Sequence, residues 1–234
     1  RQSGLTHEYF SAVLDSFKVE AEKRGYDITF INHNISGRSM TYLEHCHYRS
    51  VDGVVIACVN FYDPQVVELV NSDVPVVTID HVFNNRMAIL SDNVVGTKAL
   101  VQQAWACGHR RIAFIHGEKT SVTENRIAGF YQACEELGLE IPEEYVRDGV
   151  YHDVERCAEE PRALLALPQR PTCIIFPDDF SALGGYNALA EAGLSIPDDI
   201  SVMGYDGIYL SRVVNPSLVT YQQNTAALGR TAAE

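Results

Sequence analysis

The sequence predicts an α/β fold built on parallel sheet, and three observations carry that prediction. In Ile200-Ser201-Val202-Met203 the apolar residues Ile200, Val202 and Met203 stop at Gly204, with a carboxylate, Asp206, close behind. The same design recurs at Val76–Asp80, Ile112–His116 and Ile174–Asp179. Between these runs lie segments of helical apolar spacing, and repeated strand–helix alternation implies right-handed crossovers and parallel pairing. In open parallel sheets ligands sit outside the carboxyl ends of the strands. Four strand ends therefore aim polar side chains at a common place.

The elements follow in order. Residues 9–24 place Phe10, Val13, Leu14, Phe17 and Ala21 at helical spacing, with Gly25 as the stop. Residues 27–32 read as a strand, and a helical region containing Tyr42 and Leu43 follows. Residues 51–59 are a strong strand run, 63–71 a short helix and 76–80 another strand. Asp92 caps a helix that runs to Cys107 and ends at Gly108. A strand at 111–116 leads to a helix over 123–137, which sets Ile127, Phe130, Tyr131, Cys134 and Leu137 on one face. Residues 153–167 read as a helix interrupted by Pro161. A strand at 173–176, a helix at 180–192, and strands at 200–204 and 218–221 complete the pattern.

Composition narrows the function. The chain is 46% hydrophobic and 21% charged, as expected of a globular protein with a sizeable core. Its net charge of −13 argues against this segment itself gripping a phosphate backbone. Six cysteines without a CxxC pair, several in apolar stretches, favour a reduced, cytoplasmic protein over a disulfide-built secreted one. No run of about 18 apolar residues marks a membrane span, and no signal-peptide pattern opens the chain.

Seven stretches, in order, resemble the effector-binding core of the lactose/galactose repressor (LacI/GalR) family of bacterial transcription regulators. They are Val51-Asp52-Gly53-Val54-Val55-Ile56, Pro75-Val76-Val77-Thr78-Ile79-Asp80 and Ser91-Asp92-Asn93. Gly108-His109-Arg110-Arg111-Ile112-Ala113 and Arg126-Ile127-Ala128-Gly129-Phe130 follow. Pro197–Val202 with Gly204-Tyr205-Asp206, and Pro216–Thr220, complete the set. Each is weak alone, and the ordered set is specific. The resemblance implies two Rossmann-like lobes with parallel sheets around a ligand cleft, the type I periplasmic-binding-protein-like architecture. Residues 1–92 with 222–234 would form one lobe and 93–221 the other. It also implies a helix-turn-helix and hinge helix that this chain does not carry, and a first core strand that Arg1–Leu5 cannot supply in full. The chain is therefore read as truncated at both ends.

The same resemblance implies a sugar as effector, bridging the lobes, and a homodimer that reaches operator DNA through the missing module. No cofactor, metal or membrane partner is expected. Arg126 and Asp206 align with pocket residues. A guanidinium offers a fork of donors to neighbouring hydroxyls, and a carboxylate accepts from others. Arg126 is expected to present its charge to the cleft rather than pack it. Tyr151 stands where an aromatic stacks on the ligand, since a flat ring covers the apolar face of a pyranose. Tyr9 and Phe10 lie where pocket aromatics occur, although Phe10 also starts an apolar stripe. Asp80 and His81 end a strand, with turn-capping as the plainer role for Asp80. Asp92 is nearly explained as a helix cap. Asp178 and Asp179 replace the family's usual Asn-Asp, and Asp179 has capping of the next helix as its plainer role. Ser121 and Thr123, with Thr120, form a polar loop before Arg126.

Other chemistries fit poorly. His45-Cys46-His47 cannot converge on one ion from a helix, where neighbours at i and i+2 point apart. No GxSxG elbow appears, and adjacent carboxylates cannot flank one glycosidic bond. An enzyme is therefore not expected. A periplasmic sugar-binding protein of a transporter shares the same architecture and is the alternative reading.

Overall fold

The computed structural model describes residues 7–35 and 37–234. The expectation for Arg1–Leu5 lies outside the described residues. By its internal contacts the chain divides into two compact units. One runs to Ser91 and includes Asn224–Glu234, and the other is Asp92–Gln223.

The first unit opens with helix α1 (Glu8–Lys23), a short antiparallel pair β1 (Asn34–Ile35) and β2 (Arg38–Ser39), and helix α2 (Tyr42–Arg49). Strand β3 (Val54–Ile56), helix α3 (Pro64–Val70), strand β4 (Val76–Ile79) and strand β5 (Met87–Ile89) follow. Local chemistry explains the helix starts. Thr41 and Glu44 form a reciprocal capping box on α2. Asp63 caps α3, with Pro64 at its first position. Strands β3, β4 and β5 pair in that order, all parallel. Ile56, Val66, Leu69, Val70, Val76 and Cys46 form the core against them.

The segment 27–32 forms no strand, against expectation. Among the described residues it has no ladder partner, and the backbone of Asn32 is engaged by a side chain instead. His45 Nδ1 lies 2.8 Å from Asn32 N and 3.0 Å from Asn32 O. That contact also accounts for His45, which is buried beside Cys46. Among the described residues no His, Cys, Asp or Glu group could hold a metal ion.

The second unit contains α4 (Asn93–Ala106), β6 (Ile112–His116), α5 (Ser121–Glu136), β7 (Val146–Asp148) and α6 (Val154–Leu165). It continues with β8 (Cys173–Ile175), α7 (Ala182–Glu191), β9 (Ser201–Asp206), α8 (Leu210–Val213) and β10 (Val219–Gln222). Helix α6 runs through Pro161 instead of stopping there. The proline ring is buried, so packing outweighs the one backbone hydrogen bond that its missing N–H forfeits. The last helix, α9 (Thr225–Ala233), belongs to the first unit and packs on α1. A Cβ at Gly229 would overlap the backbone of Val13, so only glycine permits that approach.

The five strands of the second unit lie in the order β10-β9-β8-β6-β7, all parallel. Alternate side chains serve opposite cores. Ile112 and Phe114 pack with Leu100, Val101 and Phe130 of α4 and α5. Ala113 and Ile115 pack with Cys157, Leu164 and Leu189 of α6 and α7. Burial on both faces explains why these strands read as continuous apolar runs. From β6 the chain goes first to one neighbour, β7, and then to the other, β8. The order therefore reverses beside β6, and the crevice outside the strand ends at such a reversal is where ligands bind.

Candidate functional site

In the second unit the strand ends and helix starts bring six of the expected residues together: Asp206, Arg126, Thr123, Tyr151, Asp178 and Asp179. Asp206 closes β9 and is buried, with a backbone φ of 115° that L-residues rarely adopt. Gln223 Nε2 donates to its Oδ1 at 2.7 Å. Burial pushes the Asp206 carboxyl up to about 7; the Arg126 charge opposes that shift, and Asp178 and Asp179 add to it.

Arg126 is buried, not presented, which corrects the expectation from sequence. It lies on the second turn of α5. Its Nε donates to Asn93 Oδ1 at 2.8 Å and its Nη1 to Pro177 O at 2.6 Å. Its guanidinium lies 3.6 Å from the Tyr205 ring centre and 5.7 Å from that of Tyr151. The helix start is formed by Thr120, whose hydroxyl accepts from Thr123 N. Thr123 Oγ1 donates to Glu118 O at 2.7 Å and lies 2.8 Å from Tyr151 Oη. Ser121 is half-buried at the first position of α5.

Tyr151 is half-buried, and its N–H donates to Glu118 Oε2 at 2.9 Å. A Cβ at Gly117 would overlap its ring, so glycine makes the room. Burial raises the phenol, with Arg126 and Thr123 opposing.

The two adjacent carboxylates have separate tasks. Asp179 Oδ2 accepts from Ile208 N at 2.9 Å, and Oδ1 accepts from Thr220 Oγ1 at 2.5 Å. It joins the exits of β8, β9 and β10, and burial pushes it up to about 6. It does not cap the following helix. Asp178 makes that turn instead, accepting from Ser181 N at 2.7 Å. Asp92 caps α4 through Val95 N and is exposed.

The remaining candidates stand in the first unit. Tyr9 Oη donates to Asp80 Oδ2 at 2.9 Å, and Ser91 N donates to Asp80 Oδ1 at 3.1 Å. Asp80 therefore ties α1 to the exits of β4 and β5. His81 stacks on Phe61 with ring centres 4.4 Å apart and meets Phe83 edge-on at 4.6 Å. Burial lowers its pKa. Phe10 is half-buried in the first turn of α1.

This arrangement of strand-end carboxylates, a buried arginine and a nearby tyrosine can be set beside known proteins. A family model described as periplasmic binding protein-like domain matches residues 101–234. The HTH-type transcriptional repressor PurR of Haemophilus influenzae is 31% identical, over 96% of this chain and 68% of its own length. A regulatory protein of the LacI family from Chloroflexus aggregans has 27% identity and a TM-score of 0.84, covering 100% of this chain and 85% of its own. The chain belongs to the LacI family of transcriptional regulators. Another LacI-family regulator, from Enterococcus faecium with bound ribose, has 25% identity and a TM-score of 0.81. It covers 98% of this chain and 85% of its own. The curated relatives are repressors rather than enzymes. Among the described residues no helix is long and apolar enough to cross a membrane.

For this LacI-family chain, sequence reasoning missed four residues that the structure puts beside the expected ones. Asn93 accepts from Arg126, Gln223 donates to Asp206, Thr220 donates to Asp179, and Glu118 accepts from Tyr151 N. A polar residue just past a strand, or at the first position of a helix, was the available signal for Gln223 and Asn93. His152 was also missed. Nothing in its local pattern marks it, because its partner, Asp178, lies 26 residues away.

Proposed function

We propose that this chain is the effector-binding core of a LacI-family repressor and that its effector is a neutral sugar. The effector would bind outside the carboxyl ends of the second unit's strands. The observation that carries this reading is the convergence of Asp206, Arg126 and Tyr151 at the place where strand order reverses. A carboxylate, a guanidinium and a flat ring serve sugar hydroxyls and the C–H face between them. The relative with bound ribose supports the choice of ligand class. In the intact protein a homodimer would present two reading helices to two half-sites of operator DNA. A ligand changes that activity only by its differential affinity for the protein's two states, typically about 1–3 kcal/mol.

The test is a thermal-shift screen of the purified chain with D-ribose, other mono- and disaccharides, and nucleobases. A ligand that binds only the native state raises stability by about 2.7 kcal/mol at a hundredfold excess over Kd. Stabilisation by a sugar supports the reading. Stabilisation by a nucleobase alone would keep Tyr151 as the stacking surface and discard the sugar.

A further inference from the structure

We propose that Asp178 and His152 are positioning residues for Tyr151, forming a latch on residues 149–153 that is strongest when His152 is protonated. The consequence for binding rests on reading this strand-end edge as the effector site.

The geometry begins with Asp178, which is 1% exposed just after β8. Its Oδ1 accepts from Ser181 N at 2.7 Å and lies 3.4 Å from His152 Nδ1. Its Oδ2 accepts from His152 N at 2.9 Å and from Ser181 Oγ at 2.7 Å. A carboxylate offers about four lone-pair sites. The chain itself takes all of them, so Asp178 has no acceptor left for a ligand. It holds the neighbouring loop instead.

The identity of the residue follows from the same contacts. Each carboxyl oxygen accepts from a backbone N–H, which cannot become an acceptor. An asparagine at 178 would turn its NH2 toward one of those N–H groups. The aspartate that departs from the Asn-Asp pattern is therefore matched to His152 and Ser181.

The loop has few other conformations open to it. His152 sits at φ 57°, a left-handed conformation that histidine and asparagine tolerate better than most residues. Cys157 Sγ lies 3.4 Å from Val150 N and 3.2 Å from Val150 O. Tyr151, between these anchors, follows wherever they are set.

The charged groups facing His152 are Asp178 from the turn after β8, Asp206 from β9 and Glu118 from the turn after β6. Burial alone would lower the imidazole pKa, and these three carboxylates raise it overall. Asp178 is lowered despite its burial, chiefly by His152. Losing the proton from His152 removes one charge of the ion pair and leaves a neutral imidazole beside the Asp178 carboxylate, a weaker contact.

The experiment follows the His152 imidazole and the Tyr151 ring by NMR across pH, in the parent, in Asp178→Asn and in His152→Asn. In the parent, His152 should keep its proton above the ordinary histidine range, with Tyr151 signals moving in step. In Asp178→Asn, His152 should titrate lower. Should that variant fail to fold, His152→Asn keeps the left-handed backbone and should leave Tyr151 without the His152 step. Calorimetry with D-ribose then reads binding. The affinity ratio of parent to His152→Asn should fall about fivefold between about pH 6 and pH 9. Asp206 faces His152 and titrates in the same range, so its carboxyl is followed by NMR in both proteins and its step separated from that of His152. His152 titrating alike in the parent and Asp178→Asn, or Tyr151 signals indifferent to His152, would overturn the latch. A flat affinity ratio would overturn its effect on binding. Absence of ribose binding at every pH would count against the sugar reading, and the NMR titration would then decide the latch by itself.

Discussion

The guanidinium of Arg126 lies 3.6 Å from the ring centre of Tyr205, in the same second unit of the chain. With its hydrogen bonds to Asn93 and to the Pro177 carbonyl, this contact makes Arg126 part of the interior as well as a candidate for the effector. Substitutions here should therefore be read for stability before they are read for binding.

Arg126→Ala should destabilise the ligand-free chain by about 2–4 kcal/mol, because it leaves buried acceptors without their donor. Arg126→Lys should lose less, keeping the charge but not the planar fork. Urea unfolding of the three proteins checks this. A parent-like midpoint for the alanine variant would mean that the buried contacts contribute nothing.

Tyr151 can be tested without touching its own atoms. Gly117→Ala should push the ring out of place and weaken binding of the proposed sugar effector. Tyr151→Phe should keep most affinity while costing about 0.5–1.5 kcal/mol of stability through the lost Thr123 contact. Tyr151→Leu should lose more affinity, because a branched alkyl group cannot match a flat contact. Equal Kd values for all of these and the parent would remove Tyr151 from the site.

Asp206 makes stability depend on pH. Its native pKa, pushed to about 7, lies above the ordinary carboxylate value, so the native state binds the proton more tightly than the unfolded chain. The resulting stabilisation is fully present below about pH 4 and is lost as pH rises through about 7. Asp206→Asn lacks this slope. Its stability relative to the parent should rise between those limits, on the order of a few kcal/mol. Parallel stability curves for the two proteins would show that the carboxyl titrates normally.

Thr220→Val removes the hydroxyl that donates to Asp179 and accepts from Gly207 N. A lost hydrogen bond to a buried charge costs about 1.5–3 kcal/mol. Asp179, already raised by burial, should move further up, making the loss greater at pH 8 than at pH 5. A pH-independent loss would mean that Asp179 is not ionised in the native state.

The parallel α/β class was legible because it follows from local periodicity. Strands β4, β6, β8 and β9 are apolar runs bounded by polar residues, and a strand buried on both faces leaves that trace. Strands β5 and β7 did not announce themselves. Met87–Ile89 and Val146–Asp148 are three residues each, at the edges of their sheets, with exposed ends that blur the pattern. The segment 27–32 shows the reverse error. It has the apolar character of a strand, but a ladder needs a partner, which no local pattern records.

By itself the sequence determined the fold class, most helix starts and the presence of polar groups at the strand ends. These depend on residues within a few positions of one another, as with Thr41 and Glu44, or Asp92 and Val95. Only the tertiary structure decided what each polar group does. Arg126 became an interior cation because Tyr205, Asn93 and Pro177 surround it from distant segments. Asp178 and Asp179, adjacent in the chain, were sent to separate tasks by partners from different segments, His152 in the turn before α6 and Ile208 and Thr220 beyond and within the next strands. A carboxylate's role is set by which donors reach its oxygens, and those donors arrive only when the sheet brings its strands together.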